Sequence, residues 1–300
     1  MNIIITGKSG FVGSNLQEFL REEGFLVDTI SLRNDNWRNF VSQEGIDTIV
    51  HLAGKAHDTS NTSSQEEYFK INRDLTIKLY DVFLKSGIRD FFYFSSVKAI
   101  TDNIDGILSE DVEGNPLTPY GRSKLEAEQY LLSQPLPDGK RLFIIRPCMI
   151  HGPGNKGNLN LLYKIVKKGI PWPLASFHNK RSFLSIDNLS YLIKAIIKNQ
   201  SMTSDVYNFA DDEPLSTNDL VLLIAETLGK KTKLLHIPAV FIRSLVKIGD
   251  IIPLPLNSER LKKLTESYVV SNKKIKKALD IDTLPTSAKE GLIKTILSFK

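Results

Sequence analysis

A short apolar run, Asn2–Thr6, breaks into Gly7-Lys8-Ser9-Gly10-Phe11-Val12-Gly13 and then into an amphipathic stretch. No other feature restricts the fold as tightly. A strand that must become a helix within a few residues needs glycines, which accept backbone angles and close approaches closed to other residues. The turn leaves the first helical amides facing outwards, where the helix dipole favours an anion. This arrangement suits a pyrophosphate and predicts a dinucleotide site built from Gly7, Lys8, Gly10, Phe11, Val12 and Gly13.

The rest of the N-terminal half agrees with that opening. Strands are expected at Asn2–Thr6, Phe25–Leu32, Thr48–Leu52, Asp90–Ser95 and Leu142–Arg146, and helices at Val12–Glu23, Tyr68–Ser86 and Tyr120–Ser133. Such alternation predicts an α/β fold, a doubly wound parallel sheet of Rossmann type. Leu75, Leu79, Val82 and Phe83 recur at helical spacing, so that helix should bury one face. Past Pro147, the breakers Gly152-Pro153-Gly154, Pro171, Pro173 and Pro214 divide the chain into shorter pieces, as expected of a smaller C-terminal lobe. Residues 1–150 should form the dinucleotide-binding domain, to which the chain returns around 182–210. Residues 151–181 and 211–300 should form the lobe.

Charge excludes more than it suggests. The net charge of +5 and a pI near 9.0 invite a nucleic-acid reading. Residues 230–300, however, hold 15 Lys/Arg against 6 Asp/Glu, so the remainder is slightly acidic. The surplus is scattered on helix-like stretches such as Lys273, Lys274, Lys276 and Lys277, which read as solvated faces. No zinc-ligand spacing or aromatic-basic signature accompanies them, so no nucleic-acid partner is expected. The single cysteine, Cys148, permits no intrachain disulfide and reads as core. No apolar run reaches the ~18–20 residues of a membrane span. No basic leader precedes Ile3-Ile4-Ile5, so a cytoplasmic location is expected. In Val240–Ile252, Phe241, Leu245, Ile248 and Ile252 share one helical face, which is expected to pack into the core, with a peripheral membrane face as the alternative.

The glycine spacing is Gly-x-x-Gly-x-x-Gly, and there the chain resembles the extended short-chain dehydrogenase/reductase family of nucleotide-sugar epimerases, dehydratases and ketoreductases. The resemblance continues in family order through His51-Leu52-Ala53-Gly54, Asn72, Phe94-Ser95-Ser96 and Tyr120-Gly121-Arg122-Ser123-Lys124. It extends over Arg146-Pro147, His151-Gly152-Pro153, Arg181-Ser182-Phe183 and Ile186-Asp187-Asn188-Leu189, covering residues 1–210. It implies that Leu52, Ala53, Gly54, Asn72 and Pro147 join the glycine loop around the cofactor.

The end of the second strand departs from the family pattern. NAD-preferring members carry an acidic residue there for the ribose hydroxyls. Here the segment reads Thr29-Ile30-Ser31-Leu32-Arg33. Arg33, with Lys8, suits a ribose 2′-phosphate, since a guanidinium fork matches its oxygens. NADP(H) is therefore favoured as cofactor, with NAD(H) the alternative.

Tyr120 and Lys124 lie four positions apart, on one helical face behind a Thr118-Pro119 helix start. A free phenol has a pKa near ~10. A neighbouring ammonium and an oxidised nicotinamide should lower it, so Tyr120 can exchange a proton with a sugar oxygen as hydride moves. Lys124 would also hold the nicotinamide ribose. The resemblance implies Ser96 as third catalytic group, with Ser95 beside it on the substrate side. His51 and His57 read as structural.

The resemblance also implies substrate contacts from Lys156, Asn158 and Arg181, with a UDP-sugar or related nucleotide sugar as partner. It implies a homodimer through helices corresponding to Asp74–Ser86 and Tyr120–Ser133. The block Arg146 to Asn158, with Asn179-Lys180-Arg181-Ser182-Phe183-Leu184 and Ser95-Ser96-Val97-Lys98, is most similar to bacterial 4-ketoreductases of UDP-4-keto-6-deoxy-N-acetylhexosamines. Those make precursors of surface polysaccharides. A UDP-glucose 4-epimerase-like enzyme with tightly held NAD is the alternative, although Met149 stands where many epimerases carry asparagine. A non-catalytic NADP(H) sensor is more distant, since such proteins typically lose the tyrosine.

Overall fold

The computed structural model describes residues 1–33, 36–55, 64–155, 159–250 and 257–299. The chain starts as β1 (Asn2–Thr6), α1 (Phe11–Glu22), β2 (Leu26–Ile30), α2 (Trp37–Val41) and β3 (Thr48–His51). There follow α3 (Gln65–Tyr68), a π-helical turn (Phe69–Asp74), α4 (Leu75–Lys85), β4 (Asp90–Phe94), a 3₁₀ turn (Val97–Ala99) and β5 (Ile107–Leu108). Next come α5 (Pro119–Ser133), β6 (Arg141–Pro147), β7 (Met149–His151), α6 (Leu159–Lys167), β8 (Phe183–Ser185), α7 (Ile186–Lys198) and β9 (Asp205–Phe209). The C-terminal part adds α8 (Thr217–Thr227), α9 (Ala239–Gly249), α10 (Ser258–Thr265), β10 (Val269–Val270), α11 (Lys273–Leu279) and α12 (Ala288–Leu297).

Six parallel strands form one sheet in the order β2-β1-β3-β4-β6-β9. Strand order reverses at β1, which places a crevice outside the carboxyl ends of β1 and β3. The glycine loop leaves β1 at that point, and Leu52-Ala53-Gly54 leaves β3 beside it. Strands buried on both faces need apolar residues at every position. β4 obeys this, with Phe91, Phe92 and Tyr93 fully buried. One face packs against α1 and α7 through Leu16, Leu20, Leu189 and Ile193, the other against α2, α4 and α5 through Trp37, Leu79, Phe83 and Leu131.

A second core lies in the C-terminal part, where Leu162, Val166, Trp172, Leu220, Ile224, Val246 and Leu292 cluster. Two of the lysines read as solvated are instead paired: Lys274 with Asp205 at 2.6 Å and Lys276 with Asp212 at 2.7 Å. They tie α11 to the end of the sheet, while Lys273 and Lys277 are exposed as expected.

Two further expectations change. The helix expected at Tyr68–Ser86 is interrupted by the π turn, which carries Asn72. The stripe expected in the core is on the surface: Phe241 is 65% exposed, Leu245 57% and Ile248 49%. α9 buries the neighbouring face through Ile242, Val246 and Gly249 instead. Apolar residues occupy both faces of that helix, so periodicity alone selects the wrong one. Ile252 lies outside the described residues. Among the described residues, no helix is long and apolar enough to cross a membrane.

Candidate active site

The glycine loop shows why glycine is required. Gly7 has φ +74°, and a Cβ there would stand 2.7 Å from the Ala53 nitrogen. A Cβ on Gly13 would stand 2.3 Å from the Gly7 oxygen. β1, α1 and the Leu52-Ala53-Gly54 segment are thus pressed together as only glycine allows. The N-cap of α1 is Gly10, with no side-chain cap and no acidic residue in the first turn. The first helical amides therefore face the crevice as ready donors for a phosphate group. These residues fit a dinucleotide: a close glycine turn, uncapped amides and the exposed cations Lys8 and Arg33 at its rim. Among the described residues, no carboxylate or carbonyl engages the Arg33 guanidinium.

Behind the loop runs a buried polar chain. Thr6 Oγ1 accepts from the Ala53 amide at 3.0 Å and meets His51 Nδ1 at 2.7 Å. His51 Nε2 meets Thr76 Oγ1 at 2.9 Å, and Thr76 donates to the Asn72 carbonyl at 2.8 Å. Asn72 accepts from the Lys55 amide at 2.7 Å and donates to the Lys55 carbonyl and Ser123 Oγ, each at 3.1 Å. Ser123 in turn donates to the Tyr120 carbonyl at 2.8 Å. His51 is pushed down to about 3, by burial first and the Lys124 ammonium second, and so stays neutral. It is structural, as expected; His57 lies outside the described residues.

The hydroxyl cluster forms where α5 meets the end of β4. Thr118 caps α5 by accepting from the Gly121 amide at 3.2 Å, with Pro119 at the first helical position. Tyr120 stands beside the Ser96 hydroxyl, which acts on its phenol. Ser96 also accepts from the Lys98 amide at 3.2 Å, which fixes its hydroxyl at the mouth of the 3₁₀ turn. Tyr68 packs edge-on against Tyr120, ring centroids 6.2 Å apart. Lys124 Nζ donates to the Phe94 carbonyl at 2.7 Å and lies 5.0 Å from the Tyr93 ring centroid. Ser95 is buried beside Ser96.

Electrostatics here differ from the expectation. Burial raises the Tyr120 phenol above its ordinary value, and the neighbouring Ser96 hydroxyl only partly opposes this. Lys124 is lowered to about 8, again by burial, with Glu128 pulling the other way. Desolvation acts on both groups before any charge partner does. The protein alone therefore holds Tyr120 as a neutral donor and does not draw it towards phenolate. Glu128 itself is held by Arg146 in a buried fork, Nε to Oε1 at 3.1 Å and Nη2 to Oε2 at 2.5 Å. Pro147 ends β6 beyond that pair.

On the other side of Ser96, Lys98 Nζ donates to the Asp102 carbonyl at 2.8 Å and sits 4.1 Å from the Tyr268 ring centroid. Arg181 is its electrostatic neighbour. Arg181 donates to the Lys263 carbonyl and is pinned by backbone bonds to Leu215 at 2.9 Å. Lys156 and Asn158 lie outside the described residues. Sequence reasoning missed Tyr68, Lys98 and the packing role of Gly121. Only Gly121 left a signal, as the small residue directly after the tyrosine.

Against proteins already known, residues 3–210 match the model of the "NAD dependent epimerase/dehydratase family". A UDP-glucose 4-epimerase of Vibrio cholerae is 31% identical over 263 residues, covering 79% of each chain. Among solved structures, MoeE5 in complex with UDP-glucose and NAD superposes with a TM-score of 0.77 at 21% identity, covering 99% of this chain and 98% of that one. RMD from Pseudomonas aeruginosa complexed with NADPH superposes with a TM-score of 0.75 at 20% identity, with the same coverage. The chain belongs to the NAD dependent epimerase/dehydratase family, within the extended short-chain dehydrogenase/reductase enzymes.

Proposed function

We propose that this enzyme transfers hydride at C4 of a UDP-sugar, as an NADP(H)-dependent 4-ketoreductase. The observation that carries the proposal is the meeting of Ser96, just past the carboxyl end of β4, with Tyr120 of α5, with Lys124 one helical turn behind. The glycine loop, Leu52, Ala53, Gly54, Asn72 and Pro147 would hold the dinucleotide, with Lys8 and Arg33 on the ribose phosphate. When bound, the nicotinamide supplies the hydride.

The chain's own groups handle the proton. Tyr120 Oη donates to the C4 oxygen of the ketone as its charge grows, and burial keeps that phenol protonated beforehand. Ser96 Oγ orients the same oxygen and holds Tyr120 in line. The Lys124 ammonium steadies the phenolate left behind and reaches the nicotinamide ribose. Ser95, Lys156, Asn158 and Arg181 would position the sugar diphosphate. The product would feed surface-polysaccharide synthesis, and the enzyme would work as a homodimer through α4 and α5.

A second reading is a UDP-sugar 4-epimerase, favoured by the 31% identity to the Vibrio cholerae epimerase. It uses the same residues with retained NAD. The purified protein distinguishes the two. An exchangeable site that consumes NADPH with a UDP-4-keto-6-deoxy-N-acetylhexosamine supports the reductase. Retained NAD and interconversion of C4 epimers without added cofactor contradict it.

A further inference from the structure

We propose that the exposed face of α9 docks the protein onto the surface of a membrane containing anionic phospholipid. Val240, Phe241, Leu245 and Ile248 are 74%, 65%, 57% and 49% exposed. Singly exposed apolar residues are ordinary, but these four share one helix and one face. At about 100° per residue, Phe241, Leu245 and Ile248 fall within a narrow arc, and Val240 extends it on one side. Directly beyond Val240 come Arg243 and Lys247, both exposed. The adjoining sector holds Ile242, Val246 and Gly249, which are buried, so α9 cannot turn its apolar stripe inwards without exposing another.

Charge decides what covers the stripe. α9 carries no acidic residue. Asp250, at its C-terminus, is occupied by the Ser258 amide at 2.9 Å and hydroxyl at 2.5 Å. On neighbouring α10, Glu259 pairs with Lys263 at 2.5 Å, and Glu266, just past it, faces Lys262 at 3.8 Å. The surface around the stripe is therefore basic, within a segment of 15 Lys/Arg against 6 Asp/Glu. In a second copy of this face the nearest carboxylates, Asp250, Glu259 and Glu266, are already engaged, and a symmetric contact would set the Arg243 and Lys247 cations together. An anionic bilayer offers both complements: hydrocarbon for Phe241, Leu245 and Ile248, and phosphate for the flanking cations. One short helix gives reversible attachment to the interface, without insertion across it. The inference does not depend on which reaction the enzyme catalyses.

The test is co-sedimentation of the full chain with vesicles of phosphatidylcholine alone and of phosphatidylcholine with about one-third phosphatidylglycerol, at low and high salt. Binding to the anionic vesicles at low salt, falling severalfold at high salt or without phosphatidylglycerol, is expected. Phe241→Ser with Leu245→Ser should reduce the bound fraction roughly fivefold or more without changing the circular dichroism. Arg243→Gln with Lys247→Gln should remove the preference for anionic lipid. Absence of wild-type binding, or binding indifferent to the serine pair, overturns the proposal. So does a dimer, seen by light scattering, that the serine pair dissociates, because the face then belongs to a second copy.

Discussion

Gly121 lies so close to the Lys98 carbonyl that a Cβ at position 121 would stand 2.4 Å from its oxygen. The same atom would stand 2.7 Å from Pro116 Cβ. This contact is what lets the start of α5 press against the turn after β4 and bring Tyr120 to Ser96. In an ordinary helix, alanine is better than glycine by about 1 kcal/mol. Here the obstacle is backbone, and overpacking of this kind costs about 1–3 kcal/mol. Gly121→Ala should therefore lower the melting temperature and reduce turnover by about tenfold or more. Gly87→Ala, which would meet open space, should do neither. Thermal unfolding and steady-state rates of both variants check this.

Arg33 tests the cofactor. It stands exposed just past β2, at the end of the sheet where the glycine loop opens. Arg33→Ala should weaken NADPH by about tenfold, the loss expected of a charge-assisted contact, and leave NADH nearly unchanged. Equal effects on both, measured by fluorescence titration, would remove the phosphate role.

Asn72 should matter to position more than to chemistry. Its amide satisfies both backbone groups of Lys55 and the Ser123 hydroxyl. Asn72→Ala would strand these groups at a cost of about 1–3 kcal/mol. The expected signature is a raised KM for the dinucleotide together with lower stability. A change in kcat alone would contradict it.

His51 predicts a pH dependence. Its native pKa, about 3, lies below the ordinary imidazole value of 6.5, so the unfolded chain binds the extra proton first. Stability from this group is present above pH 6.5 and is lost as pH falls towards 3. By pH 4.5 the loss should reach about 2–3 kcal/mol. Urea unfolding at pH 7 and pH 4.5 should show a smaller drop for His51→Gln than for wild type, since glutamine carries no titrating ring.

Much of this was legible in the chain because the signals are local. The glycine spacing, the apolar β4 run and the Thr118-Pro119 start each act within a few residues. β1, β2, β3, β4 and β6 fall within two residues of expectation, while β9, the sixth strand of the sheet, was not expected. The Tyr120–Lys124 spacing on one helical face was equally readable, whereas Ser96 came from the family resemblance. What was not readable depends on elements distant in sequence. Whether α9 buries Phe241 or Val246 is decided by the lobe it packs against. Lys274 and Lys276 are paired because Asp205 of β9 and Asp212 lie beside α11. The π turn at Asn72 answers to Lys55 and Ser123, which no helical periodicity contains. The raised Tyr120 phenol reflects burial, which a residue pattern does not measure.

The central claim is that Tyr120, beside Ser96, delivers the proton at C4 of a UDP-sugar. The direct measurement is NADPH consumption, followed by absorbance, with a UDP-4-keto-6-deoxy-N-acetylhexosamine, for wild type and Tyr120→Phe. Wild type should oxidise NADPH. The variant should bind it with unchanged affinity and turn over at least about 100-fold more slowly, as loss of a positioned proton donor requires. A variant rate close to that of wild type would contradict the account.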